Sequence, residues 1–418
     1  MNNATDFELT EIVIESTNGT EIDIVDLMVE LNVYENIHNS CISADIAVYE
    51  SLNIVKHTPI TGHEWIRFSY RTPNQQVISL RLRIFKVSNK QMESMHSQVF
   101  VLHCTDNIDF LNARTRISKA YKGKLISDIA QDVQTNFLAS SFNFLEPTQN
   151  LHHIIPGYWT PFKTMNFLAS RANSTQYAGS NFVYYQTVDG FNFLSIEKLC
   201  DIKPLNTYML QPANIRDTTV SEGYIPRTVD SDQKAIQSFK FESTFDTLEN
   251  ATHGMYTNDL LWHDIQKKQF GENVFNYPNS YDKYKHVELN NVTGGLSELW
   301  TTPSDFDNDS YGEMRFMPIG LPNQENYTTQ WIQQRISQMQ QLQNVRLTAV
   351  IPGDSTRRAG DLIQIVLPSP ESNVQDQIQL EDYFTNRYLV VGLRHQINRT
   401  QYTTTMELIK DSVYKAFP

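Results

Sequence analysis

The sequence predicts a mainly β chain with α+β modules: two similar antiparallel β-barrels, a small α/β domain, and an insertion in the second barrel. Three observations predict it. Apolar and polar side chains alternate through most of the first hundred residues, which is strand periodicity with one face buried. Apolar residues at helical spacing, with caps, follow. The strand pattern then returns in the last third and echoes the first. At 418 residues the chain exceeds one ordinary core, and 22 Phe with 20 Tyr and 40% apolar residues mark it as folded.

The alternation begins at Glu21-Ile22-Asp23-Ile24 and continues through Leu27, Val29, Leu31 and Val33. Ile42, Ala44, Ile46 and Val48 form the next run, then Ile66, Phe68 and Tyr70, then Ile78, Leu80, Leu82 and Ile84, with Val99 and Val101 closing the set. Consecutive strands without a long helix suggest a closed antiparallel barrel or a sandwich. Leu52–His57 reads as one helical turn. This first barrel is assigned to residues 1–112.

Residues 113–205 read as the small α/β domain. Leu125, Ile126, Ile129, Val133 and Phe137 share one helix face. Thr160 is an N-cap with Pro161 in the first turn of a second helix. A hairpin follows, Asn181–Thr187 and Phe191–Lys198, around Asp189-Gly190, a pair that accepts the positive φ of a tight turn.

Residues 206–254 and 344–418 read as the second barrel, with a helix at 245–253 stopping at Gly254. Its strands are placed at 236–242, 345–351, 361–367, 388–395 and 402–410. Residues 255–343 are the insertion, poor in periodicity up to 327 and ending in an amphipathic helix marked by Trp331, Ile332, Ile336, Met339 and Leu342. An internal repeat links the barrels. Thr61-Gly62-His63-Glu64-Trp65-Ile66 resembles Ala359-Gly360-Asp361-Leu362-Ile363, each followed by a hairpin, and Ala44–Ser51 echoes Ile236–Ser243.

The formal charge of −13 is uneven: residues 1–55 hold eleven acids and no Lys or Arg, leaving 34 basic against 36 acidic residues in the remainder. Such a segment disfavours gripping nucleic acid, which needs cations to replace phosphate counterions. Glu11, Glu15, Glu21 and Asp23 are the candidate site residues, a face that repels polyanions or meets a basic partner. No catalytic, cofactor or metal residue emerges. Gly123-Lys124-Leu125 lacks the features of a phosphate loop, and His63-Glu64 lacks the second histidine of a zinc protease. Gly353–Arg357 lacks the closing glycine of a nucleophile elbow. Asp305, Asp307 and Asp309 begin like a calcium loop but continue with Ser310 and Phe316 where Gly and Glu are needed. His152-His153 reads as surface or interface. Three distant cysteines (Cys41, Cys104, Cys200), no apolar run of membrane length and no secretory leader lead to the expectation of folding in a reducing cytoplasm without membrane insertion.

Several stretches carry a family likeness: Tyr121–Ile129; Trp159–Phe162 with Phe167–Ala172; the Asp189-Gly190 hairpin; Phe245–Leu248 through Gly254–Tyr256; and Ala359–Ile363 with Lys410-Asp411-Ser412. Together they resemble the central baseplate hub of contractile-tailed bacteriophages, in the late-control-D and VgrG group. The resemblance implies a non-enzymatic virion protein, assembled in the host cytoplasm. It would be a homotrimer whose six barrels ring a channel through which DNA passes unbound. Its other partners would be a spike on a separate polypeptide, a tail tube or tube-initiator protein, and baseplate wedge proteins. Glu11, Glu15, Glu21 and Asp23 would then face the channel or the tube-facing rim. The alternatives are a cell-wall-degrading tail enzyme and a receptor- or glycan-binding virion module.

Overall fold

The computed structural model describes residues 6–50, 60–72, 77–94, 97–210, 218–220, 223–225, 232–244, 246–288, 313–319, 327–367, 369, 381 and 383–412. The helical turn expected at 52–57 and the aspartates at 305, 307 and 309 lie outside them.

The alternating segments form β1 (Glu8–Glu15), β2 (Glu21–Asp23), β3 (Met28–Asn36), β4 (Ser43–Glu50), β5 (Trp65–Arg71), β6 (Ile78–Ser94) and β7 (Ser97–Thr105). Their spatial order is β2-β1-β5-β6-β7-β4-β3. Ile12, Ile14, Leu31, Val33, Ile46, Ile66, Phe68, Tyr70, Leu82, Ile84 and Leu102 point to one side and form the first core. Each such side chain contributes about 1.5–3 kcal/mol on burial. Helix α1 (Asn107–Arg114) leaves this sheet, capped by Asp106, whose carboxylate accepts from the Ile108 amide at 2.9 Å.

The next stretch contains β8 (Tyr121–Lys124), α2 (Ile126–Asn136), β9 (Phe142–Leu145), β10 (His152–Ile154), α3 (Pro161–Ala169), β11 (Phe182–Thr187), β12 (Gly190–Ser195) and α4 (Ile196–Cys200). Thr160 caps α3 as its sequence suggests, accepting from the Lys163 amide at 3.3 Å. The hairpin is shorter than expected: Ser195 Oγ accepts from the Lys198 amide, so residues 196–198 turn helical. Ile126, Ile129, Val133, Met165, Leu168, Phe182, Tyr184 and Phe193 make a second core.

The chain then forms β13 (Thr207–Leu210), β14 (Thr218–Val220), β15 (Gly223–Ile225), β16 (Ala235–Ile236), β17 (Ser238–Thr244) and α5 (Thr247–Thr252). A three-stranded sheet follows, β18 (Thr257–Asp264), β19 (Gln269–Asn276) and β20 (Glu313–Ile319), and it packs near α6 (Thr328–Gln341). The sequence pattern hides this sheet because several buried positions on β18 are polar, Asn258, Asp259 and Asp264 among them. Gln333 of α6 holds two strands at once, donating to the carbonyls of Asn258 at 3.1 Å and Asn273 at 2.6 Å. The last strands are β21 (Val345–Pro352), β22 (Leu362–Val366), β23 (Asn386–Asn398) and β24 (Tyr402–Lys410).

Neither half closes into a ring of hydrogen bonds among the described residues. The edge of β3 pairs instead with β23, from Gly392↔Asn36 to Asn398↔Glu30, and so joins the halves into one 14-stranded sheet. At this joint Glu35 is fully buried, and its carboxylate accepts from the amides of Val188 at 2.9 Å and Ala359 at 3.0 Å. One side chain therefore ties β3 to the β11–β12 hairpin and to the turn before β22. Burial pushes its carboxyl up to about 7, against the opposing pull of the Ala359 amide and the Arg358 guanidinium.

A second buried charge cluster seats residues 286–288 against the end of β24. Lys410 Nζ lies 3.1 Å from Glu288 Oε2, both side chains fully buried, and donates to the Thr385 carbonyl at 2.6 Å. Asp411 meets His286 at 3.1 Å and accepts from the Val287 amide at 2.9 Å. Burial alone would raise the Asp411 carboxyl, but His286 and these amides hold it below its ordinary value.

Lys410→Met should leave Glu288 buried without its cation and cost about 3–5 kcal/mol, whereas Lys410→Met with Glu288→Leu should recover most of that loss, read as thermal midpoints. Glu35 gives a pH effect of known sign. Its folded carboxyl lies above the ordinary glutamate value, so the folded chain holds a proton that the unfolded chain releases. The stabilisation is complete below the unfolded value and is lost as pH rises through about 7. The thermal midpoint should therefore fall between about pH 5 and pH 7 by a component that Glu35→Gln abolishes.

Candidate assembly interface

The two halves repeat one strand order. In the first, β3, β4, β7, β6 and β5 are neighbours in that order; in the second, β17, β21, β24, β23 and β22 are. The counterparts also follow one another in the same order along the chain. The register agrees as well. Ile84 faces Cys104, and a bulge at Phe85 resets the ladder to Lys86↔His103. Val390 faces Leu408, and a bulge at Val391 resets it to Gly392↔Glu407. A bulge at the same rung of two ladders is a positional device, hard to obtain from unrelated hairpins. Both β5 and β22 are entered through a glycine in the left-handed region, Gly62 at φ 91° and Gly360 at φ 93°. The carbonyls of Glu64 and Asp361 then take the amides of Ile84 and Val390.

Two parts of the expected repeat differ. The echo between Ala44–Ser51 and Ile236–Ser243 is displaced by one strand, because the ladders make β17 the counterpart of β3 and β21 the counterpart of β4. The outermost strand also diverges: β1 runs antiparallel to β5, whereas β13 runs parallel to β22.

The repeat exposes an asymmetry at the edges. The segment of β23 past its bulge is paired with β3, but the matching segment of β6, from Lys86 onward, pairs only with β7 among the described residues. Likewise β17, the counterpart of β3, pairs only with β21 among them. The chain therefore carries one occupied joint and the two separate halves of another. Exposed apolar side chains mark both open edges: Phe85, Val87 and Met92 on β6, with Met92 75% exposed, and Phe239 on β17. Carrying the β3–β23 register onto the counterparts sets Phe239 opposite Met92, as Leu31 stands opposite Ile397.

The acids singled out in the sequence lie on the face of β1 opposite Ile12 and Ile14 and on β2. Three of the four gather on one arginine. Arg67 Nε is 3.3 Å from Glu11, its Nη1 is 3.1 Å from Glu15 and its Nη2 is 4.0 Å from Glu21. Arg81 adds a 2.6 Å contact to Glu15, and Arg71 pairs with Glu8. Asp23 stands apart and accepts from the Val25 amide at 2.9 Å. Sequence reasoning missed Arg67, Arg71 and Arg81. Their signal was the alternation itself, since in Arg67-Phe68-Ser69-Tyr70-Arg71 the arginines occupy the face opposite the core residues.

Other flagged residues have structural roles. Glu64 accepts from the amides of Thr61, Gly62 and His63 and so shapes the turn into β5. His152 is buried and His153 exposed. Cys41, Cys104 and Cys200 are free, and burial raises their thiols above the ordinary range.

No protein-family model and no curated protein matches the sequence. Solved structures do match. The tail protein from Neisseria meningitidis MC58 aligns over 97% of both chains with a TM-score of 0.55 and 11% identity. The 43 kDa tail protein of prophage MuSo2 from Shewanella oneidensis aligns over 97% of this chain and all of its own, with a TM-score of 0.57 and 6% identity. At such identities the likeness is one of architecture, and over nearly its whole length this chain has the fold of these two tail proteins.

Proposed function

We propose that the protein is a non-enzymatic structural tail component, a homotrimeric baseplate hub that adapts a sixfold tail tube to a threefold central spike. The observation that carries this reading is the repeat with its unequal edges. A chain whose internal joint is β3 on β23, and whose remaining edges are the counterparts of those strands, can extend the same joint head to tail. Three copies would then supply six similar halves, giving threefold symmetry that imitates sixfold around a hole. Backbone groups on β6 and β17 would gain partners in that arrangement. The shared fold with two tail proteins supports the reading.

In this proposal the partners are a second and third copy, a spike protein, a tail tube or tube-initiator protein and baseplate wedge proteins. The protein resides in the virion after assembly in the host cytoplasm. The parts are residues 1–112 and residues 206–254 with 344–418 as the two ring modules, residues 113–205 as the α/β domain, and residues 255–343 as the insertion. Glu11, Glu15, Glu21 and Asp23 face the channel or the tube-facing rim, where DNA passes without binding. Because Arg67 and Arg81 offset much of the charge of Glu11, Glu15 and Glu21, that wall presents alternating signs and repels DNA weakly.

Purified protein should run in solution at about three chain masses and appear as rings with a central hole by electron microscopy. The joint itself is tested by the paired substitution Met92→Cys with Phe239→Cys. Oxidation should yield covalent dimers and trimers through the new thiols, which neither single variant forms. A monomer at high concentration, with no crosslinking in the paired variant, would refute the ring.

A further inference from the structure

One surface of the first half is open where its counterpart in the second half is covered. In the second half, Leu362 on β22 and Leu389 on β23 face outward and are covered by Val183, Tyr185, Leu194, Ile196 and Leu199 of the α/β module. Their counterparts by register are Trp65 and Arg83, which pair across β5 and β6 as Leu362 and Leu389 pair across β22 and β23. Among the described residues only α1 reaches them, through Asn107 and Phe110 on Arg83, and both stay half-exposed. The bulge residues show the same contrast, since Val391 is 7% exposed and Phe85 is 50% exposed. The bare face borders an open groove of about 540 Å3 lined by His63, Arg83, Asn107, Phe110 and Arg114.

The groove is cationic with one aromatic wall, Phe110, and Trp65 adjoins it through Arg83 and carries Arg81 at 4.4 Å. The Arg83 guanidinium lies 5.0 Å from the Trp65 ring and 5.0 Å from the Phe110 ring, held between the two. It donates to Asn107 Oδ1 at 3.2 Å and only weakly to the His63 carbonyl at 3.5 Å, while its buried Nε has no hydrogen-bond partner. Arg114 is exposed at the rim. Among the described residues neither arginine has a carboxylate partner. Nearby carboxylates are engaged elsewhere: Glu64 by the amides of its own turn, Glu15 by Arg67 and Arg81, and Asp106 by Gln186 and the Ile108 amide. In a chain of net charge −13, these two arginines leave the groove with positive charge that no acid beside it offsets among the described residues.

We propose that this groove binds an acidic segment of a partner polypeptide. A carboxylate would occupy the Arg83–Arg114 pair, and a neighbouring apolar or aromatic side chain would lie against Phe110, within reach of the adjoining Trp65. Charge-assisted hydrogen bonds to the two guanidinium groups would supply orientation, and the rings would supply apolar contact. The groove lies within one chain, so this inference and the ring stand or fall separately.

The test uses the full-length protein with the probe peptide acetyl-Glu-Glu-Phe-Glu-amide and its Gln counterpart, followed by tryptophan fluorescence. The acidic peptide should give a saturable change that Trp65→Phe removes and that weakens steeply with added salt. Arg114→Gln, at an exposed position that folding tolerates, should weaken it roughly tenfold. Arg116→Gln, outside the groove, should leave it unchanged. Equal binding of the Gln peptide, no saturation by the acidic peptide at millimolar concentration, tighter binding of an oligothymidylate, or indifference to Arg114→Gln would each overturn the proposal.

Discussion

The structure depends on where the backbone groups at strand edges find partners. A strand in water satisfies its outer amides and carbonyls with solvent, but a regular edge of seven or more residues is also a template for another strand. In this chain β3 would close the first half on itself if it curled far enough. It pairs with β23 instead, and that one ladder turns two separate sheets into a continuous one. The same choice explains why Glu35 can be buried. Its strand is covered on both edges, by β4 and β23, and the carboxylate is left to bind amides from two further elements.

Much of this was legible in the sequence, and the exceptions have physical reasons. Strand periodicity revealed the sheet of the first hundred residues because it buries one face only. Thr160-Pro161 located α3, since a side-chain cap and a proline in the first turn are local signals that tertiary packing need not alter. The β18–β20 sheet escaped because buried positions on β18 are Asn and Asp, and the backbone carbonyls of Asn258 and Asn273 are bound by Gln333 of a distant helix, an arrangement with no hydropathic signature. The acids of β1 and β2 were visible, but their neutralisation was not. Arg67 lies 52 residues beyond Glu15 in sequence, and only the β1–β5 ladder brings the two together. Non-enzymatic character was inferred from missing motifs, an argument that locates no residue.

The repeat was detectable through Gly62 and Gly360, yet its alignment upstream slipped by one strand. Short alternating strands look alike, and nothing in Ala44–Ser51 or Ile236–Ser243 distinguishes a third strand from a fourth. Ladder order resolves what composition leaves open. The bulge is the stronger marker, because an extra residue must be absorbed at one rung and every later side chain changes face unless the partner sheet accommodates it. Phe85 and Val391 occupy that rung in both halves.

Equivalent backbones with unlike surfaces show how a duplicated scaffold divides its tasks. Leu362 and Leu389 are aliphatic because the α/β module packs on them, and a charge there would be buried without a partner at a cost of several kcal/mol. Trp65 and Arg83 hold the same rungs half-exposed, where a guanidinium between two rings keeps part of its hydration. The inner faces cannot diverge in this way. Ile66 and Ile363 are both fully buried at matched rungs, and either would leave a cavity if shortened. Core packing therefore preserves the repeat, while the outer faces are free to acquire different partners. Difference between counterparts on that outer side is thus the place where a specialised contact becomes visible.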